Sequence, residues 1–302
     1  MAQRDSEQTW LSELAPAKIN LTLRVLGRRP DGYHELESLV VFADECASDR
    51  LDFQPGGPFR LALSGSGAEF LSGEASTSNL VARAVEAARR VAPEVGCGLF
   101  RLEKRLPVAA GIGGGSADAA AALRLVRRAG AGRLDDIRWS EIASMIGADV
   151  PVCLASRAAA MSGLGERVSL LSQFPRLWAV LANPRVPLST GQVFAELDAE
   201  MLPAADEAAT PQPVPQFSDL DELLRYVVGQ PNDLEAAAMR LCAAIGEVQS
   251  ALASLDGALV VRMSGSGPTC FALFADQEAA ADGARKLAQR RPDWWIVATT
   301  LQ

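Results

Sequence analysis

Hydrophobic and polar residues alternate strictly in one segment near the start of the chain. Its positions run in the order Lys18, Ile19, Asn20, Leu21, Thr22, Leu23, Arg24 and Val25. A period of two predicts a β-strand with one buried and one polar face. We therefore expect Lys18 and Asn20 to lie side by side on the polar face of a half-buried strand.

A turn is predicted directly after this strand, in RRPDGYHEL. Pro30 fixes one backbone dihedral, and Gly32 permits a positive one two positions later. Tyr33 and His34 follow the glycine, so both side chains should leave the turn together.

Shorter patterns of the same kinds predict the other elements. Strands are expected near 39–42, 59–63, 100–102, 259–263, 269–274 and 294–299, and helices over 79–91, 140–146, 232–245, 248–255 and 277–290. We expect Thr77 or Ser78 to cap the first helix, and Ser116 to cap a helix that ends at Gly130. Asp149 should lie in an extended segment, because the residues before a proline avoid the helical region.

The alternation of strands and helices predicts an α+β or α/β protein with a compact unit at its C-terminus. One segment interrupts this alternation. MLPAADEAATPQPVPQFSDLDEL, which starts at Met201, is rich in proline, alanine and acidic residues. This composition predicts an exposed excursion and not a core element.

Composition narrows the class of protein. The 302 residues are 49% hydrophobic and 22% charged, with a net charge of −8, which is typical of a globular chain and argues against nucleic acid as the main partner. The five scattered cysteines indicate free thiols in a reducing compartment. The start of the chain has no pattern of a signal peptide, so we expect a cytoplasmic protein without a membrane partner.

The segment PVAAGIGGGSADAAAAL, residues 107–123, places four glycines before an alanine-rich helix. Backbone amides at a helix start, approached through glycines, can bind a polyphosphate. The pattern lacks the Lys-Ser or Lys-Thr pair of a P-loop and does not fit G-x-G-x-x-G, so it supports neither of those nucleotide sites. A plain glycine-rich linker or a tight contact between helix and sheet is the alternative.

Two charged residues add weight to the phosphate hypothesis. Phosphoryl transfer requires a carboxylate to orient or deprotonate a hydroxyl and a cation to stabilise the developing charge. Asp149, in GADVP, and Lys18 would supply them. Each residue alone could equally be a turn residue or a surface charge. A second glycine turn, SGSG at 264–267, would suit another close backbone approach.

Four segments together resemble the motifs of the GHMP small-molecule kinases, which include galactokinase and the homoserine, mevalonate and phosphomevalonate kinases. The segments are LAPAKINLTLRVLGRRPDGYHEL, KRLPVAAGIGGGSADAAAAL, IGADVPVCL and VRMSGSGPTCFALF. They reach from Ala15 to Phe274. The resemblance implies an α+β fold of two lobes: an ATP-binding lobe over 1–163, similar to a domain of ribosomal protein S5, and a ferredoxin-like substrate-binding lobe over 164–302.

The resemblance also implies roles for individual residues. Lys18 and Asp149 match the catalytic pair, and Asn20 would lie beside the acceptor alcohol. The ATP phosphates would be held by the loop residues Pro107, Val108, Ala109, Ala110, Gly111, Ile112, Gly113, Gly114, Gly115, Ser116 and Ala117. Mg²⁺ is implied with ATP. Many relatives place serines where Gly114 and Gly115 stand here, so Ser116 is the first hydroxyl available to the metal.

PAKINL and DGYHEL are similar to the branch of the family whose small-molecule substrate is a cytidyl diphosphate sugar alcohol. Tyr33 and His34 would then meet the cytosine, with Phe194 on its other face. The implied activity is ATP-dependent phosphorylation of a hydroxyl in the non-mevalonate route to isoprenoid precursors. The alternatives are another kinase of the family, of mevalonate or homoserine type, and a non-catalytic nucleotide-binding regulator on the same scaffold.

Overall fold

The computed structural model describes residues 10–71, 79–93, 97–130, 136–201, 216–217 and 219–302. Its strands are β1 (Leu11–Pro16), β2 (Lys18–Arg28), β3 (His34–Phe42), β4 (Ser48–Pro55), β5 (Arg60–Ser64), β6 (Gly98–Glu103), β7 (Ala159–Gly163), β8 (Arg167–Leu170), β9 (Leu177–Asn183), β10 (Val260–Met263), β11 (Cys270–Phe274) and β12 (Trp295–Leu301). Its helices are α1 (Leu80–Val91), α2 (Gly114–Ala129), α3 (Asp136–Ile146), α4 (Val150–Ala155), α5 (Thr190–Leu197), α6 (Leu220–Gly229), α7 (Glu235–Leu241), α8 (Ala244–Ala253) and α9 (Gln277–Arg290).

The strands form three four-stranded sheets, each packed against an apolar core. The first has the order β1-β4-β6-β5, and the second has the order β2-β3-β7-β8. Helices α1 to α4 pack with these strands around one core that includes Phe42, Phe53, Phe100 and Leu123. This part corresponds to the expected N-terminal lobe.

The third sheet has the order β12-β9-β11-β10, with every pair antiparallel. Numbered along this lobe, the order is 4-1-3-2, which is that of a ferredoxin-like unit. Helices α7, α8 and α9 cover one face around Ile245 and Phe274. The other face packs against the β2-β3 sheet through Ile19, Leu39 and Phe271. The predicted α+β fold is therefore confirmed.

Strand β2 forms where alternation predicts it, but the prediction that one face is exposed is wrong. Lys18 is 5% exposed and Asn20 is 4% exposed. The backbone N–H of Lys18 donates to the carbonyl of Ile112, and that of Asn20 donates to Ser264 Oγ. The glycine loop and the SGSG turn thus cover the polar face, which buries the two polar side chains inside the protein.

Two predicted helix caps are wrong. Helix α1 is capped by Asn79, whose side chain accepts from the N–H of Val81, while Thr77 and Ser78 lie outside the described residues. Helix α2 begins at Gly114, preceded by Gly113 in the left-handed region, so Ser116 is within the first turn and does not cap it. Its predicted end at Gly130 is confirmed.

Asp149 is helical and not extended. It has φ −82° and ψ −12° and precedes α4, in which proline stands at the start of the helix. Proline is tolerated in the first turn because the N–H it lacks would have no partner there. The carboxylate is therefore held by a rigid helix start. This geometry is what places Asp149 in the site described below.

The segment expected to be an exposed excursion contains part of α6. Residues 202–215 and 218 lie outside the described residues, but α6 begins at Leu220 and buries Leu223 and Val227. Strands β1, β4 and β7 to β9 had no clear sequence pattern and were not predicted. The proposed boundary between the lobes, after residue 163, falls in the turn between β7 and β8, which pair with each other.

No helix among the described ranges is both long enough and apolar enough to cross a membrane.

Candidate active site

A cleft of about 1010 Å³ lies where the two lobes meet. Fifteen predicted site residues line it: Lys18, Asn20, Tyr33, His34, Pro107, Val108, Ala109, Ala110, Gly111, Gly113, Gly114, Gly115, Ser116, Asp149 and Phe194. The predicted loop residues Ile112 and Ala117 do not line it. Their side chains are 1% exposed and pack into the cores. The cleft therefore joins motifs that are up to 176 positions apart in the sequence, from Lys18 to Phe194.

The glycines of the loop are required by close backbone contacts. Gly111 has φ +72°, and a Cβ there would lie 2.5 Å from the N of Gly267 and from the O of Ser264. Gly113 has φ +63°, and a Cβ there would lie 3.2 Å from Cβ of Lys18. Both positions combine a conformation that side chains avoid with a lack of space. The loop is thus packed against β2 on one side and the SGSG turn on the other.

Ser264 ties the two glycine turns and β2 together. Its hydroxyl accepts from the N–H of Asn20 at 3.1 Å and donates to the carbonyl of Gly111 at 3.1 Å. The N–H of Thr269 donates to the carbonyl of Ala110 at 3.3 Å. The SGSG turn, which had no assigned role beyond a close approach, therefore supports the floor of the cleft.

Lys18 and Asp149 form an ion pair at the foot of the glycine loop. Lys18 Nζ lies 2.9 Å from Asp149 Oδ2, and the side chains are 6% and 36% exposed. The methylene stem of Lys18 packs against Gly113, so the ammonium has little freedom. Asp149 keeps a solvent-accessible side toward the cleft. A cation and a partly exposed carboxylate therefore meet at one point of the cleft wall.

Asn20, which lines the cleft, carries a buried hydrogen-bond acceptor without a partner among the described residues. The hydroxyl of Ser38 donates to the carbonyl of Thr22, so Ser38 Oγ can only accept from Asn20 Nδ2, at 2.7 Å. This fixes the orientation of the amide. Asn20 Oδ1 is buried and has no partner among the described residues. A buried acceptor without a partner is unfavourable unless a ligand supplies a donor.

The aromatic residues lie at another part of the cleft, on β3 and α5. The rings of His34 and Phe194 stack on each other, with centroids 4.8 Å apart and planes inclined by 28°. A base sandwiched between them would need a separation of about 7 Å, twice the thickness of an aromatic ring. Tyr33 is 63% exposed and offers an uncovered ring. In this arrangement the rings of His34 and Phe194 contact each other directly, while Tyr33 is open to stacking. The placement of a base against Tyr33 and His34, with Phe194 on its other face, stays a prediction.

The imidazole of His34, the one histidine of the sequence, favours its neutral form. Burial and the neighbouring guanidinium of Arg28 lower the pKa of His34. A neutral imidazole carries one N–H donor and one bare nitrogen acceptor. His34 can therefore make directional hydrogen bonds to a base edge near neutral pH.

A buried cluster of three charges beneath the start of α2 was missed at the sequence level. Lys104 Nζ contacts Asp49 Oδ2 at 2.5 Å and Asp118 Oδ2 at 2.8 Å, and all three side chains are at most 5% exposed. Asp49 Oδ1 also accepts from the N–H groups of Arg105 and Leu106. The cluster thus fixes the strand that leads into the glycine loop. Lys104 and Asp118 also line the cleft.

The two carboxylates leave the cluster with one excess negative charge when all three groups are ionised. Burial raises the pKa of Asp118 to about 7, although Lys104 opposes that shift. Burial would lower the pKa of Lys104, but Asp118 and Asp49 outweigh it and raise the pKa. Asp118 Oδ1 has no partner among the described residues. The lysine of KRLP and the aspartate inside the alanine run were the sequence signals for this cluster.

Family models match both lobes. The model described as GHMP kinases N terminal domain matches residues 79–157, and that described as GHMP kinases C terminal matches residues 206–293. The chain is 49% identical over 300 residues to a protein of Rhodopseudomonas palustris (strain BisB5) named 4-diphosphocytidyl-2-C-methyl-D-erythritol kinase, covering 97% of this chain and 99% of the relative. A protein of the same name from Parvibaculum lavamentivorans is 49% identical over 286 residues, covering 95% and 96%.

Solved structures give the same picture of the fold. A crystal structure of 4-(cytidine 5'-diphospho)-2C-methyl-D-erythritol kinase matches with a TM-score of 0.75 at 33% identity, covering 96% of this chain and 99% of the other. A homoserine kinase from Cytophaga hutchinsonii matches with a TM-score of 0.68 at 17% identity, covering 100% and 97%. The second likeness concerns the fold alone.

Proposed function

The chain belongs to the GHMP kinase family, and on that premise we propose that it phosphorylates the 2-hydroxyl of 4-diphosphocytidyl-2-C-methyl-D-erythritol. The protein is a small-molecule kinase with ATP as co-substrate, acting in the non-mevalonate route to isoprenoid precursors. One observation supports the specific substrate above all. A single cleft joins the Lys18–Asp149 pair to the aromatic residues Tyr33, His34 and Phe194. Mevalonate and homoserine have no ring for such residues to contact.

Asp149 is the proposed base and Lys18 the proposed electrostatic partner. The carboxylate of Asp149 would accept the proton of the 2-hydroxyl as its oxygen attacks the γ-phosphorus of ATP, and the bond to the β-phosphate bridging oxygen would break. Lys18 Nζ, 2.9 Å from Asp149, would keep the carboxylate ionised before transfer. It would also stabilise the negative charge on the attacking oxygen.

The glycine loop is the proposed holder of the ATP phosphates. Helix α2 spans 16 residues and begins at Gly114, so its unpaired N–H groups and the positive end of its dipole face the loop. Without side chains at 113–115, phosphate oxygens can approach the backbone directly. This supports phosphate binding without a lysine inside the loop.

Mg²⁺ is part of the proposal, and the donors at the phosphate end of the cleft suit it. Mg²⁺ prefers oxygen ligands and usually bridges one or two protein oxygens to substrate phosphates. The hydroxyl of Ser116 lines the cleft, as does Asp118, whose Oδ1 has no partner in the described part of the chain. These two residues would hold the metal. When bound, it supplies positive charge that neutralises the phosphate oxygens.

The rest of the substrate would occupy the remainder of the cleft. The free Oδ1 of Asn20 would accept from a hydroxyl of the methylerythritol, beside the reacting group. The cytosine would stack on Tyr33, and His34 would hydrogen-bond to its edge. Phe194, whose ring centroid lies 4.8 Å from that of His34, would hold the imidazole in place. It would also form the wall on the far side of the base.

The two lobes would have different roles. The N-terminal lobe would bind ATP, with the boundary moved from residue 163 to a point after β8, since β8 belongs to the β2-β3-β7 sheet. The C-terminal lobe would contribute Phe194 and the SGSG turn to the substrate side. The cytoplasm remains the proposed location.

An ATP-consumption assay tests this function. We expect turnover of 4-diphosphocytidyl-2-C-methyl-D-erythritol, and none of mevalonate or homoserine. Turnover of mevalonate instead would overturn the substrate and leave the family intact. Binding of ATP with no turnover of any of the three alcohols would favour a regulator on the same scaffold.

A further inference from the structure

Three cations line the cleft among the described residues, and they differ in their partners. Lys18 is paired with Asp149, and Lys104 is paired with two buried carboxylates. Arg28 lies within 4 Å of no carboxylate in the described part of the chain. Among the described residues its side chain makes a weak contact, in which Nε donates to Sδ of Met201 at 3.2 Å. Arg28 is therefore the cleft cation whose charge the described residues leave uncompensated.

Arg28 lies beside the aromatic residues of the cleft. It is the last residue of β2, and its Cα pairs directly with that of His34 across the β2–β3 ladder. Directly opposed residues of an antiparallel pair project from the same face. The Coulombic effect of Arg28 on the pKa of His34 agrees with this proximity. The guanidinium thus stands next to the ring that Phe194 stacks on.

Nearby acidic side chains are engaged by other arginines. Asp31 and Glu35 lie 3.4 Å and 3.7 Å from the guanidinium of Arg29, the next residue along the chain. Glu35 also lies 3.9 Å from Arg167. No ion pair joins Arg28 to Asp198, an acidic residue that lines the same cleft. Arg29 is therefore paired with protein carboxylates, whereas Arg28 lines the cleft without such a partner among the described residues.

An unpaired arginine in a chain of net charge −8 suits an anionic ligand group. A guanidinium can donate two parallel hydrogen bonds to a phosphate, which a lysine cannot match in geometry. The proposed substrate carries a diphosphate one ribose away from its cytosine. A base stacked on Tyr33 and bonded to His34 brings that diphosphate within reach of the residue opposite His34.

We propose that Arg28 binds the diphosphate of the substrate and so selects a cytidine diphosphate derivative over an uncharged nucleoside. This inference rests on the proposed function. Arg28 would then be the anion-binding residue at the end of the cleft where the cytosine stacks. It lies outside the PAKINL and DGYHEL segments. Arg28 acts in substrate binding and leaves the phosphoryl transfer itself to Lys18 and Asp149.

The test compares two probes on three proteins. Binding of cytidine 5'-diphosphate and of cytidine is measured by calorimetry on the unaltered chain, Arg28→Gln and Arg29→Gln. The Arg29 variant is the matched control, since it removes a neighbouring arginine that has protein partners. We expect Arg28→Gln to weaken the binding of cytidine 5'-diphosphate by about tenfold or more, because it removes a charge-assisted hydrogen bond. The affinity of this variant for cytidine should change by less than about twofold. Arg29→Gln should leave the affinity for both probes unchanged.

Other outcomes separate the two proposals. Equal weakening of nucleotide and nucleoside in Arg28→Gln would overturn the diphosphate role, because Arg28 would then contact or support the base. Unchanged binding of both would overturn it as well. If the unaltered chain binds neither probe, the proposed function fails first. In turnover, Arg28→Gln should raise KM for the cytidyl substrate while kcat and KM for ATP stay within about twofold, and a fall in kcat alone would contradict a binding role.

Discussion

Lys18 Nζ and Asp149 Oδ2 lie 2.9 Å apart, although the two residues come from a buried strand and from the start of a helix 131 positions later. The strand is held by the glycine loop, and the helix start is held by Pro151 in its first turn. Neither partner depends on a flexible loop for its position. A preorganised pair of this kind is what electrostatic stabilisation of a developing charge requires.

Asp149→Asn should abolish most phosphoryl transfer and leave ATP binding intact. The amide is nearly the same size but accepts no proton, so kcat should fall by about 10²- to 10⁴-fold. Turnover and ATP affinity are measured separately. Asp256→Asn, which changes an exposed carboxylate paired with Lys286, serves as the control. Unchanged turnover in Asp149→Asn would remove this residue from its proposed role.

Tyr33→Ala should weaken binding of the cytidyl substrate by roughly 5- to 150-fold, because base stacking on an aromatic ring contributes about 1–3 kcal/mol. KM for ATP should stay the same, since the phosphate loop is at another part of the cleft. Tyr33→Phe retains the ring and should bind nearly normally. An equal rise of both KM values in Tyr33→Ala would mean that the turn supports the fold and does not contact the base.

Ser38→Ala should raise KM for the cytidyl substrate by about fivefold, the effect of one neutral hydrogen bond. The change frees the amide of Asn20, whose Oδ1 then loses its fixed direction. Ser48→Ala is a matched control, because Ser48 is also buried but bonds to the carbonyl of Asp44, outside the cleft. If both variants raise KM equally, the effect is general loosening of the N-terminal lobe.

Proton NMR of the single histidine should give a pKa for His34 below the ordinary value of about 6.5. A lowered pKa means that the folded state disfavours the proton, so stability from this group is present at higher pH. It is lost as the pH falls below about 6.5. Arg28→Gln should raise the pKa, since it removes a positive charge, and Arg29→Gln should leave it unchanged. A fall in the pKa of the Arg28 variant would contradict this geometry.

Lys104→Met should destabilise the protein by about 3–5 kcal/mol, because it leaves Asp49 and Asp118 buried together without a cation. Urea unfolding measures the change. Adding Asp118→Asn to this variant should restore part of the loss, because one buried charge disappears. A loss of stability below about 1 kcal/mol for Lys104→Met would contradict this prediction, because the triad would then contribute no more than a surface ion pair.

Local patterns predicted much of the fold. Alternation located β2, and helical periodicity located α1, α2 and α9 to within a few residues. The strands β1, β4 and β9 were missed, because their burial depends on partners far along the chain and not on a regular local pattern. The failure at Asp149 has another origin: Pro151 stands in the first turn of α4, where proline is tolerated, so the residues before it are helical.

The site residues that belong to a sequence motif could be predicted. Those that depend on long-range contacts could not. Motifs identified Lys18, Asp149 and the glycine loop as a set, and the cleft brings them together. In the triad of Asp49, Lys104 and Asp118, the last two residues stand out in the sequence. That the three meet is evident only in the fold, because they come from three separate elements. Arg28 was hidden for another reason. In the sequence it cannot be distinguished from Arg29, and the structure separates them by the pairing of Arg28 with His34 and by the ion pairs of Arg29.

The hydroxyl of Ser264 accepts from the backbone of Asn20 across 244 positions of sequence. A chain emerging from the ribosome therefore completes the N-terminal sheets long before the floor of its cleft can form. Lys18 and Asp149 would be present in that intermediate, but the loop carbonyl of Gly111 would lack its partner. The glycine loop therefore gains its last hydrogen-bond partner only after the SGSG turn has been synthesised.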